Sequence, residues 1–219
     1  MERHRNSYCF GVRLYDRIIM FVFDVETLGK ESNSVILSMA AIYFNPDEQP
    51  EHTKLFDEAF FVKFDVADQM SRLDRKVGKS TMEWWAKQCE NVRVKSFKPN
   101  PAIDVKFEDG YEAMREWAKS KNDPKCYVWA RGNLDQLVLD SFEEQLEIQP
   151  IWDFSRWRDV RTAIDFLFNT NRGYVPVEVP PWIDTFDPAL HITKHNPIDD
   201  CVFDAMMMMY GVNQKAEDV

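Results

Sequence analysis

The amino-acid sequence predicts an α/β fold, with helices packed on the faces of one mixed β-sheet. Three runs of strand-forming residues come first, at 18–25, 35–44 and 57–64, and turn residues separate them as in an antiparallel meander. Helical and strand-like patterns then alternate, and an amphipathic helix comes last. This order of elements is typical of a mixed sheet covered by helices.

Length and composition favour a single globular domain. The chain has 219 residues, of which 45% are hydrophobic and 14% aromatic, although two small domains are also compatible with this length. No apolar run approaches the ~20 residues that span a bilayer, and the run 18–23 is too short for a signal peptide. We therefore predict a cytoplasmic protein without membrane contact, whose four scattered cysteines remain free thiols.

The net charge of −10 limits the kinds of nucleic-acid binding. Proteins that coat duplex nucleic acid are usually basic, so a general DNA-coating role is disfavoured. An enzyme that holds a few terminal nucleotides through metal ions and a small basic patch is compatible with this charge. Solubility alone explains most of the acidic residues.

Residues 1–19 differ from the rest of the chain. They are rich in arginine and lack an apolar period before Ile18, and Met20 stands directly before the first strand. The segment is either a flexible basic arm or a leader added by an upstream start codon. We therefore divide the chain into an N-terminal extension, 1–19, and a single domain, 20–219.

The middle of the chain is predicted to be mainly helical. Ser80 and Glu83 fit a capping box that would open a helix over 81–88. The polar stretch 91–106 contains two prolines and is predicted to be a loop. The elements predicted beyond it are a helix over 107–121, a strand over 126–130, and helices over 133–145 and 158–168.

The C-terminal part begins with a long irregular segment and ends with a helix. Residues 169–194 contain four prolines, and loops of this length tend to be functional or mobile. Asn196 is a favourable N-cap, and Pro197 suits the first helical position. The four methionines at 206–209 are predicted to fill the core rather than to bind a ligand. The apolar stripe of this helix consists of Ile198, Cys201, Val202, Ala205 and Met209.

Two carboxylates on the first strand pose a problem of charge. Asp24 and Glu26 are two positions apart, so their side chains point to the same face of the strand. Buried like charges are costly unless a positive charge lies between them. Either this strand is less buried than its apolar neighbours suggest, or a cation belongs there.

Further acidic residues lie where predicted elements meet. Asp135 follows a predicted strand, and the segment around the last helix offers four more candidates: His195, Asp199, Asp200 and Asp204. Mg²⁺ and Mn²⁺ prefer carboxylate oxygens and water as ligands. Two such ions about 3.5–4 Å apart activate a water molecule and stabilise the leaving oxygen in phosphodiester cleavage. A neighbouring histidine takes the proton from that water.

Each of these features also has a structural explanation. Two acids on a strand are common by chance, and the helix dipole favours an acid such as Asp135 in a first turn. Asp200 and Asp204 lie roughly opposite the apolar stripe, as on a solvated helix face. Other enzyme classes are disfavoured, because the chain lacks an HExxH zinc motif, a GxSxG nucleophile motif and a glycine-rich phosphate loop.

A pattern of five residues resembles the signature of the DEDD superfamily of 3′–5′ exonucleases, in its histidine subclass (DEDDh). These residues are Asp24, Glu26, Asp135, His195 and Asp200. The segments 79–88, 129–132 and 157–162 resemble a narrower group, formed by the phage exonuclease A type and the RNase AS-like bacterial exoribonucleases. The resemblance extends over about residues 20–212.

The resemblance implies an RNase H-like fold and a reaction with two divalent ions, Mg²⁺ or Mn²⁺. By analogy, Asp24 would bridge both ions, and Asp135 would support the second ion. Glu26 and Asp200 would hold the ion that carries the attacking water. His195 would be the general base. Cations would then explain why two carboxylates are tolerated on the first strand.

Three arginines are candidates for contacts with phosphates: Arg131, Arg158 and Arg161. Structural ion pairs explain them equally well, for instance pairs of Arg158 or Arg161 with Asp159 or Glu83. The sequence leaves these two interpretations open.

Terminal nucleotides also need contacts with their base and sugar. Of the adjacent Trp84 and Trp85, one is expected in the core, and the other would stack on a terminal base; Trp85 is taken as the stacking residue. The resemblance implies that Thr27 and Leu28 meet the terminal sugar.

The leading hypothesis is a metal-dependent 3′–5′ exonuclease that acts on the 3′ ends of single-stranded DNA or RNA and releases nucleoside monophosphates. DNA is favoured, because the sequence is closer to the phage group. One alternative is a catalytically idle RNase H-like module that binds a host protein or nucleic acid. A second alternative, endonucleolytic cleavage, is disfavoured by the spacing of His195 and Asp200. We also expect a homodimer and, for a phage-encoded protein, a location in the host cytoplasm.

Overall fold

A five-stranded mixed β-sheet forms the centre of the molecule. The computed structural model describes residues 19–49, 51–121, 126–174 and 194–217, with side chains up to residue 213. The strands are β1 (Met20–Thr27), β2 (Ile36–Phe44), β3 (Phe60–Lys63), β4 (Tyr127–Ala130) and β5 (Trp157–Asp159), arranged in the order β3-β2-β1-β4-β5.

The pairing of the strands confirms the mixed α/β prediction. β2 lies antiparallel to both β1 and β3, and β4 lies parallel to both β1 and β5. The central strand β1 therefore lies between an antiparallel half and a parallel half. Its register against β2 places Asp24 opposite Ala40 and shifts between Glu26 and Thr27.

Helices cover both faces of this sheet. They are α1 (His52–Asp57), α2 (Val66–Arg72), α3 (Lys79–Ala86), α4 (Glu90–Val92), α5 (Phe107–Ser120), α6 (Leu134–Leu146), α7 (Val160–Phe168) and α8 (Pro197–Glu217). A π-helix, Arg93–Phe97, continues directly from α4, and a 3₁₀ turn, Phe154–Arg156, precedes β5. Among the described residues, the structure contains no helix that is long and apolar enough to cross a membrane.

Several local predictions were wrong. A helix, α1, lies between β2 and β3 instead of a short turn, and the segment predicted as a loop over 91–106 begins with the π-helix. The first two residues of the helix predicted over 158–168 belong to the strand β5 instead. The sequence did not reveal this strand, because three residues that pair with β4 are too few to form a recognisable strand pattern. The capping box was also wrong: α3 starts after Gly78 and has no side-chain cap.

The two faces of β1 pack against different sets of helices. Phe21, Phe23 and Val25 belong to a cluster with residues of α5 and α6, whereas Val22 belongs to a cluster with α7 and α8. The predicted stripe of α8 faces this second cluster, and all four methionines at 206–209 are buried in it, which confirms their core-filling role. Alternation along a strand therefore directs Asp24 and Glu26 towards α8.

Other expectations concern cysteines and chain segments. Among the described residues, Cys89, Cys126 and Cys201 form no disulfide, and Cys9 lies outside these residues. The proposed extension, except for Ile19, and most of the segment 169–194 also lie outside them.

Candidate active site

The first two acids of the site lie at the end of β1. Asp24 and Glu26 are both partly buried and point to the face covered by α8. The shift of register after Glu26 bends the strand at this point, a feature that often accompanies active sites. The cost of burying Asp24 appears in its pKa, which burial raises well above the usual range.

Asp135 reaches the same region from the turn between β4 and α6. Gly132 adopts φ +90° in this turn, a conformation that favours glycine, and its N–H donates to Oδ1 of Asp159 at 3.0 Å. Asp135 lies in the first turn of α6 and is 7% exposed. Burial raises its pKa to about 7, although hydrogen bonding to the backbone of Val25 opposes this effect and ties Asp135 to β1.

The start of α8 supplies Asp200. Pro197 is the first helical residue, as predicted, and the carbonyl of Asn196 accepts the N–H of Asp200 at 3.0 Å. Oδ2 of Asp200 in turn accepts the N–H of His195 at 2.9 Å. Burial raises the pKa of Asp200 to about 7. The neighbouring Asp199 is buried and accepts a hydrogen bond from the amide of Asn196 at 2.8 Å.

His195 lies directly before α8 in an unusual conformation. Its φ is +66°, in the left-handed region that non-glycine residues rarely adopt. Its ring contacts Trp84 edge to face, with 4.6 Å between ring centroids. Burial, assisted by the charge of Lys194, lowers the pKa of His195 and so favours the neutral imidazole.

The carboxylates meet in one place. Ligand atoms of Glu26, His195 and Asp200 all lie within 4.8 Å of one another. After burial, the charges of Asp135, Glu26 and Asp200 raise the pKa of Asp24 further. Side chains from β1, α6 and the start of α8 therefore face one space and repel one another.

This donor set fits divalent cations. Four mutually repelling carboxylates are the ligands that Mg²⁺ and Mn²⁺ prefer. The nearby guanidinium of Arg131 lowers the pKa of Asp200 only in part, because it is bound to Asp204, with 3.1 Å between Nε and Oδ2. The site therefore carries an excess of negative charge that cations would offset.

The contacts of Arg131 favour the alternative of a structural ion pair over a phosphate contact. Besides Asp204, its guanidinium donates to the carbonyl of Gly173 at 2.9 Å and lies over the ring of Tyr174. These partners use the donors that a phosphate would need. Asp204 is 5% exposed, so the interpretation of a solvated helix face was wrong for this residue.

The other two arginines differ in their surroundings. The guanidinium of Arg158 donates to the carbonyls of Ser155 and Trp157 and lies over the ring of Tyr127. The charge of Arg161 lowers the pKa of Asp135, which indicates that Arg161 lies near the acidic site. Across the described ranges, its guanidinium has no ion-pair partner within 4.0 Å. A Cβ added at Gly132 would lie 3.1 Å from its Nη1.

Two of the predicted substrate contacts are buried instead. Trp85 is 1% exposed, stacks on Phe97 and donates from Nε1 to the carbonyl of Thr27 at 3.0 Å, so its faces are not open to a base. Leu28 is 3% exposed, and its N–H and C=O pair with the backbone of neighbouring segments. The packing of β1 and α3 on each other therefore argues against these two predicted contacts. Trp84, at 39% exposed, is the tryptophan that faces solvent.

Comparisons with known proteins agree with this geometry. Residues 20–211 match the family model of the 3′–5′ exoribonuclease Rv2179c-like domain. The chain belongs to this family. It is a 3′–5′ exonuclease, which confirms the predicted enzyme class and the resemblance to DEDDh exonucleases.

Individual relatives of this exonuclease extend the comparison. An exodeoxyribonuclease of Enterobacteria phage T4 is 30% identical in an alignment 212 residues long, which covers 88% of this chain and 88% of the phage protein. The nuclease domain of 3′hExo, a DEDDh family member whose structure was determined bound to rAMP, has a TM-score of 0.59 at 12% identity and covers 91% of this chain and 94% of its own. The fold is thus RNase H-like, as predicted.

Proposed function

We propose that this exonuclease removes nucleoside monophosphates from the 3′ end of single-stranded nucleic acid, with DNA preferred over RNA, and uses two divalent ions. The observation that carries the proposal is the convergence of four carboxylates and His195 beside the end of β1. The carboxylates come from three separate segments of the chain, around residues 24–26, 135 and 200, and folding brings them together.

Four acids would hold the two ions, Mg²⁺ or Mn²⁺. In this proposal Asp24 contacts both, Glu26 and Asp200 hold one, and Asp135 supports the other. When bound, the ions supply a water nucleophile near neutral pH and stabilise charge on the leaving oxygen. The mutual repulsion of the carboxylates supports this assignment, because each of them gains from a cation between them.

His195 is proposed as the general base. Burial lowers the pKa of this imidazole and so favours the neutral form, in which a ring nitrogen accepts a proton from water. The ring lies within reach of Glu26 and Asp200, and the contact with Trp84 limits its rotation. A neutral, oriented imidazole beside the acids is what proton transfer requires.

Substrate contacts are proposed for residues that remain accessible. Arg161 lies at the acids with its guanidinium unpaired among the described residues, so it would hold the phosphate of the terminal nucleotide. Trp84 takes the role of stacking on the base that the sequence assigned to Trp85. Thr27 stays a candidate for the sugar; its hydroxyl donates to the carbonyl of Gly29 at 2.7 Å. Arg158 stays a candidate for a phosphate contact, although its guanidinium also donates to the carbonyls of Ser155 and Trp157.

The preference for DNA rests on the phage T4 relative, which is named as an exodeoxyribonuclease. The family description names an exoribonuclease instead, so the two names differ in the sugar of the substrate. A protein distinguishes RNA from DNA by its contacts with the 2′-hydroxyl. Further parts of the proposal are a single domain over residues 20–219, a homodimer, and a location in the cytoplasm of a phage-infected host.

One experiment tests polarity, metal use and sugar preference together. Matched DNA and RNA oligomers, labelled at the 5′ end, are incubated with the protein and Mn²⁺ or Mg²⁺, and the products are separated on a sequencing gel. We expect a ladder that shortens by one nucleotide at a time, faster for DNA and absent with EDTA. His195→Ala serves as the variant that should lose turnover. Turnover that persists with EDTA, or a first product several nucleotides shorter, contradicts the proposal.

A further inference from the structure

The backbone of His195 has an unusual conformation for its place in the fold. Four described residues other than glycine have positive φ: Asp74, Glu147, Asn169 and His195. Glu147 and Asn169 are C-caps of helices, where left-handed residues are common, and Asp74 closely follows α2. His195 instead precedes a helix, so helix termination does not explain its φ of +66°. Surrounding contacts must compensate for a cost of about 1 kcal/mol or more.

Hydrogen bonds fix both peptide groups of His195. On one side, its N–H donates to Oδ2 of Asp200 at 2.9 Å, within the first turn of α8. On the other side, its C=O accepts the hydroxyl of Ser96 at 2.7 Å. Ser96 lies in the π-helix, 99 residues away in the sequence, and is 1% exposed. The second bond is therefore a long-range contact in the interior.

The segment that carries Ser96 also contacts the ring of His195. Trp84, on α3, meets the imidazole edge to face, and the adjacent Trp85 stacks on Phe97 of the π-helix with ring centroids 5.7 Å apart. α3 and the π-helix thus form one packed unit, which holds His195 at its ring through Trp84 and at its backbone through Ser96. π-Helical turns are frequent at functional sites.

We propose that Ser96 is a positioning residue for His195. The hydroxyl of Ser96 holds the carbonyl of His195, which stabilises the left-handed backbone and directs the imidazole towards Glu26 and Asp200. Ser96 does not touch the reacting atoms. This inference rests on the proposed role of His195 as general base.

A double-mutant cycle tests the inference. Single-turnover and steady-state rates on a 5′-labelled oligomer are measured for wild type, Ser96→Ala, His195→Ala and the double variant. We expect Ser96→Ala to lower kcat about tenfold, since small misplacements of catalytic groups are costly, and to leave KM within about twofold. In the His195→Ala background, the same substitution should cause no further loss, because Ser96 acts through His195.

Binding and stability measurements separate positioning from unfolding. The affinity for Mn²⁺ by calorimetry should be the same in Ser96→Ala and wild type, because no acid is changed. Ser71→Ala is the matched control, since the hydroxyl of Ser71 also donates to a carbonyl, at 2.8 Å, on the exposed face of α2. Should Ser96→Ala not fold, the same cycle is run with Ser96→Cys, which keeps the shape and weakens the donor.

The possible results are distinguishable. A rate of Ser96→Ala within twofold of wild type, while His195→Ala loses about a hundredfold or more, overturns the inference and leaves the proposed function intact. Losses that multiply in the double variant also overturn it, because they indicate a general structural role. A wild-type rate for His195→Ala overturns the proposed base itself.

Discussion

The two faces of the central sheet share β1 but differ in their chemistry. On the face towards α5 and α6, Phe21, Phe23 and Val25 pack into an aromatic cluster that includes Trp152. On the face towards α8, the alternate positions begin with Val22 and continue with Asp24 and Glu26. The first face follows the rule that apolar surface is buried, and the second departs from it at the end of the strand.

This difference indicates that the α8 face combines apolar packing with groups that serve function, whereas the opposite face of β1 carries apolar packing alone. Aromatic packing contributes favourable free energy with or without ligands. The carboxylates, in contrast, destabilise the folded state until cations bind, as the raised pKa values of Asp24 and Glu26 show. Substitutions on the two faces should therefore separate activity from stability.

The largest expected effect is on activity, at the α8 face. Asp24→Asn should lower turnover with Mn²⁺ by about a thousandfold or more, equivalent to about 4 kcal/mol. The same change should raise the melting temperature in EDTA at pH 8, because it removes a repelled buried charge. Gel assays and thermal melts measure the two effects. A lower melting temperature together with lost activity would show that the carboxylate has a structural role instead.

The opposite pattern is expected on the aromatic face. Phe107 is fully buried and stacks on Phe142 with centroids 3.8 Å apart. Phe107→Ala should lower the free energy of unfolding by about 4 kcal/mol and leave kcat per folded molecule unchanged. Urea unfolding measures the first quantity. Phe166→Ala is the matched control, because Phe166 is 75% exposed and its truncation should cost less than about 0.5 kcal/mol.

A third, smaller effect concerns the ion pair beneath the acids. Arg131→Met leaves Asp204 buried without its partner and should lower the free energy of unfolding by about 3 kcal/mol. The double variant Arg131→Met/Asp204→Leu should recover most of this loss, because it removes the unpaired charge. Chemical denaturation of wild type, the two single variants and the double variant gives the coupling free energy between Arg131 and Asp204. Additive losses would mean that Arg131 and Asp204 do not stabilise each other.

The smallest predicted effect is a pH dependence of the stabilisation of the folded protein by divalent ions. The pKa values of Asp135 and Asp200 are raised to about 7 in the folded chain, above the unfolded value of about 4. Their contribution to stability is thus fully present below pH 4 and is lost as pH rises through 7. Cations bind the deprotonated acids, so the increase in melting temperature caused by Mn²⁺ should be larger at pH 8 than at pH 5. An equal increase at both pH values contradicts this assignment.

Sequence reasoning located the acids because their signals are local. Asp24 and Glu26 share a strand face, and Pro197 marks the start of α8. His195 and Asp200 are only five positions apart in the sequence. These features depend on backbone geometry that a few neighbouring residues determine. The enzyme class came from the resemblance of the five-residue pattern to DEDDh exonucleases, and the mixed sheet came from the order of the predicted elements.

The remaining features depend on contacts between distant segments. Which of Trp84 and Trp85 faces solvent was decided by the packing of α3 against Phe97 and the carbonyl of Thr27. Arg131 was paired by Asp204, 73 residues away. Ser96 was missed altogether, because nothing in a polar segment indicates a buried hydroxyl opposite His195.

By itself, the sequence determined which residues carry charge, which face of β1 they occupy and where α8 begins, since alternation and helix capping act over a few residues. Only the tertiary structure decided which arginine is paired, which tryptophan is buried and which hydroxyl holds the histidine. Those choices depend on burial and on partners from other elements, and both arise only when the chain is packed.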